Sequence, residues 1–198
     1  MTPDLLAAFA LFAFVSSITP GPNNLMLMAS GANFGLWRSI PHMLGIGVGF
    51  VVMVILVGIG LMQVFDTFPI AHTILKVLSA AYLLYLAWKI AHASAPSESG
   101  GEGRPLTFLQ AALFQWVNPK AWSMALTAIA LYAPDRSLMA VLLVAAIFGA
   151  VNLPCVSSWT LLGQQMRHVL STPTRLTAFN WTMAALLVAS LYPVLFTG

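Results

Sequence analysis

Six stretches of this chain are apolar over about 20 residues or more, the length an α-helix needs to cross a bilayer core. They cover residues 5–30, 40–65, 70–91, 107–132, 138–162 and 176–196. Polar punctuation separates them: "GANFGLWRS" after the first, "DTFP" after the second, "YAPDRS" after the fourth and "RHVLSTPTR" after the fifth. Composition excludes the soluble alternative. The chain is 60% hydrophobic and 7% charged, with a mean hydropathy of +0.90, whereas a soluble domain is roughly a quarter charged. Eight Lys and Arg with five Asp and Glu cannot solubilise a domain of this size. The expected fold class is therefore an all-α membrane protein with six transmembrane helices and the lipid bilayer as its partner. The basic balance does not indicate nucleic acid, because the few cations are needed to orient the spans. "MTPDLLAAFALFAFVSS" lacks a basic leading region and reads as a first span rather than a cleaved signal peptide. Cys155 is the single cysteine, so no intramolecular disulfide forms.

The stretch "HASAPSESGGEGRP" is polar and rich in Gly and Ser, and reads as a linker over residues 92–106. It divides the chain into a three-helix half over residues 1–91 and another over 107–198. Lys and Arg set the orientation. Arg38, Lys89, Arg104, Arg167 and Arg175 fall on one side; Lys76 and Arg136 fall on the other, beside Asp4, Asp66 and Asp135. The expectation is that both termini face outward, periplasmic or extracytoplasmic, and the linker is cytoplasmic.

Two of the six stretches interrupt themselves. "SSITPGPNNLMLM" sets Pro20, Gly21 and Pro22 inside the first, and proline removes a backbone donor and clashes one turn back in a continuing helix. Thr19 is expected to cap a new helix that begins at Pro20. In the fourth stretch, Asn118 is positioned to cap, Pro119 to start a helix, and Lys120 follows. Pro20 and Pro119 lie 99 residues apart, half of the 198. Three spans per half place the halves in opposite orientations. Interrupted helices at matching positions of two inverted repeats are the mark of a secondary-transporter site. The fold expectation is thus two inverted three-helix repeats, with the first and fourth helices broken near the midplane.

In lipid a broken helix persists only where it is buried in protein or lines a wet cavity. A half-helix starting there turns free N–H groups and a positive dipole end toward the cavity, which suits a carboxylate. Asn23 and Asn24 add neutral donors and acceptors. Lys120 is an ionisable group at lipid depth, a functional-site hypothesis by default. Its charge sits at the start of its own helix, and no Asp or Glu lies within the six stretches to balance it. Its expected partner is the substrate's carboxylate, unless it is neutral when the site is empty; a Lys120 neutral when empty and charged when occupied would couple transport to protons. Phe114, Trp116, Trp122 and Trp159 are candidates for an apolar, aromatic lining, and Asn152 for a polar one.

The segment "TPGPNNLMLMASGANFGLWRSIPHMLGIGVG" resembles the opening signature of the LysE/RhtB superfamily of amino-acid exporters, and "FQWVNPKAWSMALTAIALY" resembles its fourth-span Asn-Pro-Lys-Ala segment. The resemblance extends along the whole chain, with the linker between halves and a late Trp159. It implies secondary-active export of amino acids from the bacterial cytoplasm across the inner membrane, driven by an ion gradient. By motif match it puts Pro20, Gly21, Pro22, Asn23, Asn118, Pro119 and Lys120 at the central site. Gly31, Gly35, Gly45 and Gly49 fall in the family's glycine pattern. Their own spacing predicts a tight turn at Gly31–Gly35 and a closely packed second span at Gly45–Gly49. That span serves either a homodimer contact or the chain's own bundle.

With no acid at depth to hold a cationic side chain, the cargo reads as a neutral or apolar amino acid. The alternatives are an uncoupled facilitator and an exporter of another small carboxylate-bearing metabolite. His42 is a second candidate for proton coupling, its ordinary pKa being close to physiological pH. No catalytic set at lipid depth is legible, so no enzyme activity is expected. No metal site, cofactor or nucleic-acid partner is expected either.

Overall fold

A computed structural model describes residues 1–61, 70–93, 104–133 and 137–192. Asp66, Asp135, Arg136 and linker residues 94–103 lie outside the described residues, as do the ends of the second and sixth expected spans. The regular elements among the described residues are all helices, without strands. We number the helices α1 (Pro3–Ile18), α2 (Pro22–Phe34), α3 (Leu36–Leu56), α4 (Ile70–Ala91), α5 (Phe108–Phe114), α6 (Pro119–Tyr132), α7 (Leu138–Met166) and α8 (Pro173–Ala189). A π turn, Val57–Leu61, extends α3, and a 3-10 turn, Gln115–Val117, follows α5.

Local chemistry sets the helix starts. Thr2 accepts from the Leu5 amide ahead of Pro3, and Ser137 accepts from the Ala140 amide. Thr107 and Gln110 form a reciprocal capping box, which satisfies two orphan donors at once. Three helices are long and apolar enough to cross a membrane: Leu36–Leu61, Thr73–Ala91 and Leu138–Met166. The pair α1 and α2, bent by 54° at its break, makes a fourth if taken as one span. The fourth and sixth expected spans are shorter here: α5 and α6 are separate short helices, and the described helix of the last span has 17 residues.

Two of the glycine expectations have a structural counterpart. Gly35 joins α2 to α3 with φ +81°, a backbone that L side chains rarely adopt. The Leu36 amide that follows donates to Oε1 of Gln164 at 2.5 Å. Gly45 and Gly49 lie against α5: a methyl on Gly45 would strike the Phe108 carbonyl, and one on Gly49 would lie 2.6 Å from Cα of Ala112. That glycine face therefore packs within the chain's own bundle. A second close crossing joins α2 to α7, where Gly31 meets the Thr160 backbone and Gly163 meets the Met28 backbone.

The helix pairs follow a regular plan. α3 packs on α7, α4 on α8, α1 and α2 on α7, and α3 on α5 and α6. The C-terminal ends of α2, α4 and α7 and the start of α8 meet at one end of the bundle. Asn33 and Asn180 exchange amide hydrogen bonds there at 2.7 and 3.1 Å, and Asn180 also donates to the Ala93 carbonyl.

Candidate functional site

The second helix of the first span starts at Pro22, two residues later than the sequence pattern places it. Thr19 does not cap a new helix; it is the C-cap of α1. Pro20 lies outside any helix, Gly21 is the N-cap of α2, and Pro22 is its first residue. The cause is Pro22, which is equally fitted to the first helical position and leaves Pro20 as a spacer. The second break follows expectation: Asn118 is the N-cap of α6, accepting the Lys120 amide at 3.2 Å, and Pro119 starts the helix.

A helix end leaves its last carbonyls without partners, and at α1 every one of them is taken. Val15 O accepts the Thr19 amide at 3.2 Å, and Ser16 O accepts the Thr19 hydroxyl at 3.1 Å. Ser17 O and Thr19 O each accept from Nδ2 of Asn24 at 2.8 Å. Ile18 O accepts the Trp159 indole at 3.0 Å. Nζ of Lys120 donates to Thr19 O at 2.7 Å, to Thr19 Oγ1 at 2.9 Å and to Pro20 O at 3.4 Å.

This arrangement answers the question that Lys120 poses in the sequence. Its charge is unfavourable at the start of α6 but favourable at the end of α1, where the helix dipole is negative. Its partners within the chain are two carbonyl oxygens and the Thr19 hydroxyl. Gly21 makes the contact possible by leaving room for the lysine stem. The two breaks also meet through Asn23 and Gln115, whose side-chain amides exchange hydrogen bonds at 2.8 and 3.2 Å.

Between the breaks lies a polar cleft of about 20 Å³, room for about one water. Gly21, Asn23, Asn24, Asn118, Lys120 and Asn152 line it together with Ser16, Ser17, Phe50 and Met124. Asn152 donates to Ser17 Oγ at 3.2 Å, while its buried Oδ1 has no partner among the described residues. No side chain among the described residues caps the N-terminus of α2, and its N-cap residue Gly21 lines the same cleft. Pro20, Pro22 and Pro119 shape the breaks but do not line the cleft.

The aromatic lining is not found there. Trp122 sits in the core, its indole donating to the Trp116 carbonyl at 2.9 Å. Phe114 is buried in the second core cluster, and Trp159 binds the end of α1. His42 is 2% exposed, on α3, and lines a different cavity from Lys120. Ser16, Ser17 and Gln115 were not singled out by sequence reasoning. The serines directly precede the first break and Gln115 stands three residues before Asn118, which is the signal that was there to use.

An apolar all-helical chain with three helices long enough to cross a bilayer, or four with the bent pair, has the make-up of a multi-pass membrane protein. The chain belongs to the LysE type translocator family, whose model matches residues 14–190, and it is an efflux transporter of that family. It is 31% identical over 193 residues to a cysteine/O-acetylserine efflux protein of Klebsiella pneumoniae, covering 95% of each chain. It is likewise 31% identical over 195 residues to the protein of that name in Escherichia coli K12, covering 95% of this chain and 96% of that one. No solved structure matches the chain.

Proposed function

We propose that this protein is a secondary-active exporter of small neutral amino acids, with the junction of the two broken helices as its transport site. The observation that carries the reading is the seat of Lys120, from the second half, on the C-terminal carbonyls of α1 in the first. A charge held by carbonyls at a helix break is poised for exchange. A substrate carboxylate competes for Lys120 and for the uncapped start of α2, both of which favour an anion. The orphaned Oδ1 of Asn152 accepts from the substrate's ammonium group. The cleft holds no amino acid at its present volume, so transport requires the two breaks to separate and close again, in the manner of repeats rocking about a fixed site.

The helix pairing supports the inverted-repeat reading. A two-fold axis exchanging the halves would pair α3 with α7 and α4 with α8, and would match the contacts of α1 and α2 on α7 with those of α5 and α6 on α3. The cationic residues support the orientation: Lys89 and Arg104 line one cavity, near the bundle end where Arg167 approaches Gly35. By the positive-inside rule that end is cytoplasmic and both termini are outside, in the inner membrane of a bacterium. The names of the relatives support a small neutral cargo such as cysteine or O-acetylserine. Release of Lys120 from its carbonyls gives a route for proton coupling.

The test is uptake of a panel of labelled amino acids by inside-out vesicles, with a proton gradient imposed and then collapsed. Gradient-dependent accumulation of a small neutral amino acid is expected. Accumulation that ignores the gradient would leave an uncoupled facilitator; no accumulation of any amino acid by folded, inserted protein would overturn the reading.

A further inference from the structure

Asn23 and Gln115 meet across the two breaks, and their amides are not equally committed. Gln115 stands in the 3-10 turn before Asn118 and is 0% exposed. Its Nε2 donates to Asn23 Oδ1 at 3.2 Å and to the Ala111 carbonyl at 2.9 Å, and its Oε1 accepts from Asn23 Nδ2 at 2.8 Å. A side-chain amide carries two N–H donors, so the glutamine nitrogen is fully used. Asn23 Nδ2 uses one of its two, and the other has no partner among the described residues. Asn23 is half-buried and lines the transport cleft, whereas Gln115 lies behind it.

The carbonyl of Ala111 decides the orientation of the whole pair. A backbone carbonyl only accepts. As the chain tightens beyond α5, the Gln115 backbone amide bonds to the Ala112 and Leu113 carbonyls, and the Ala111 carbonyl takes its donor from the glutamine side chain. That fixes Nε2 toward Ala111 and presents Oε1 to Asn23. The Asn23 amide must then turn Nδ2 to that oxygen, because the opposite flip would set oxygen against oxygen and nitrogen against nitrogen. In a reciprocal amide pair each nitrogen gives the hydrogen on the side of its own oxygen. The uncommitted hydrogen of Asn23 is therefore the one directed away from Gln115.

We propose that Gln115 is a positioning residue for transport: anchored on Ala111, it holds the Asn23 amide with one N–H free at the cleft, where that donor binds a carboxylate oxygen of the amino acid. The second half of the chain thereby orients a binding group of the first. The pair joins the two breaks, so the orientation is set as they close over the substrate. The proposal rests on the exporter reading of the cleft.

The test is initial uptake of labelled L-cysteine, L-serine and L-alanine by inside-out vesicles holding the full chain, with KM and maximal rate taken separately. Gln115→Met keeps the reach of the side chain and removes its hydrogen bonds. Gln115→Leu serves should it not fold, and melting temperatures show which variants are folded. Gln115→Met is expected to raise KM about tenfold, the order of one hydrogen bond to a charged group, with the maximal rate little changed. Asn23→Ala is expected to raise KM to the same extent, and this result bears on the proposal even where no Gln115 variant folds. In the double variant KM should rise no further, because the glutamine acts only through the asparagine. A glutamine that merely supports the bundle would multiply the two effects to about a hundredfold, as independent sites do. That product, an unchanged KM in Gln115→Met, or an unchanged KM in Asn23→Ala would each overturn the proposal. Uptake by the parent with any of those three results leaves the exporter and discards the positioning role, whereas a parent that carries no amino acid discards both.

Discussion

Gly21 and Lys120 share one space. A methyl group at position 21 would lie 2.6 Å from Cδ of Lys120 and 3.1 Å from its Nζ. The backbone at Gly21 has φ −175°, extended geometry open to any residue, so glycine is needed there for room rather than for conformation. Gly21→Ala should therefore fold, because the flexible lysine stem yields, but Lys120 should leave the α1 carbonyls. The expected result is a melting temperature within a few degrees of the parent and transport reduced about tenfold, the effect of about 1.4 kcal/mol in coupling. Undiminished transport would separate Lys120's seat from function.

Lys120→Met removes three hydrogen bonds from one ammonium group. Thr19 O keeps its bond from Asn24, but Pro20 O and the dipole end of α1 lose their charge partner. Loss of a charge-assisted contact costs about 1.5–3 kcal/mol, so the variant should be less stable yet folded. Gradient-driven accumulation should vanish. Lys120→Arg keeps the charge but brings a broad planar group over Gly21, and should retain part of the activity. Vesicle uptake with both variants checks this, and full activity of Lys120→Met would remove the lysine from the mechanism.

Asn152 divides stability from binding. Its Nδ2 makes one 3.2 Å bond to Ser17, and its buried Oδ1 makes none with the described residues. Asn152→Leu removes the orphaned oxygen but leaves the buried Ser17 hydroxyl without the Asn152 donor. Stability in detergent should fall by about 1–3 kcal/mol, the cost of a buried group left without its partner. The KM for transport should rise about tenfold, which is the signature of a lost substrate contact. A fall in stability with unchanged KM would assign Asn152 to the fold alone.

The α2–α7 crossing should tolerate nothing larger than glycine. A Cβ at Gly31 or at Gly163 would strike backbone, at Thr160 and Met28 respectively, and backbone cannot swing aside as a lysine stem can. Gly31→Leu and Gly163→Leu should each cost about 3 kcal/mol or more, in the range of severe overpacking. Thermal unfolding in detergent measures it. These variants should fail by unfolding, in contrast to Gly21→Ala, which should fail by losing transport.

The helical class, the two interruptions and the membership of the efflux family are legible in the sequence, because each rests on local facts: runs of apolar residues, prolines without donors, and motifs read in order. Asn118 and Pro119 acted as their local chemistry predicts. Pro20 did not, because two prolines two apart compete for one helix start and the local rule does not choose between them. The tryptophans misled for a related reason. Residue type says that an indole needs a partner for its N–H, but Trp122 found the Trp116 carbonyl and Trp159 the Ile18 carbonyl, away from any lining role.

What the sequence by itself determined is where the helices must break and that an uncompensated lysine stands at the second break. What only the tertiary structure decided is the lysine's partner. Lys120 and Thr19 are 101 positions apart, and nothing local at either end specifies the other. The crossings of α2 on α7 and α3 on α5, through glycines that admit backbone against backbone, bring the two breaks into one cleft. There the carbonyls orphaned by the first helix end meet the charge stranded at the second helix start.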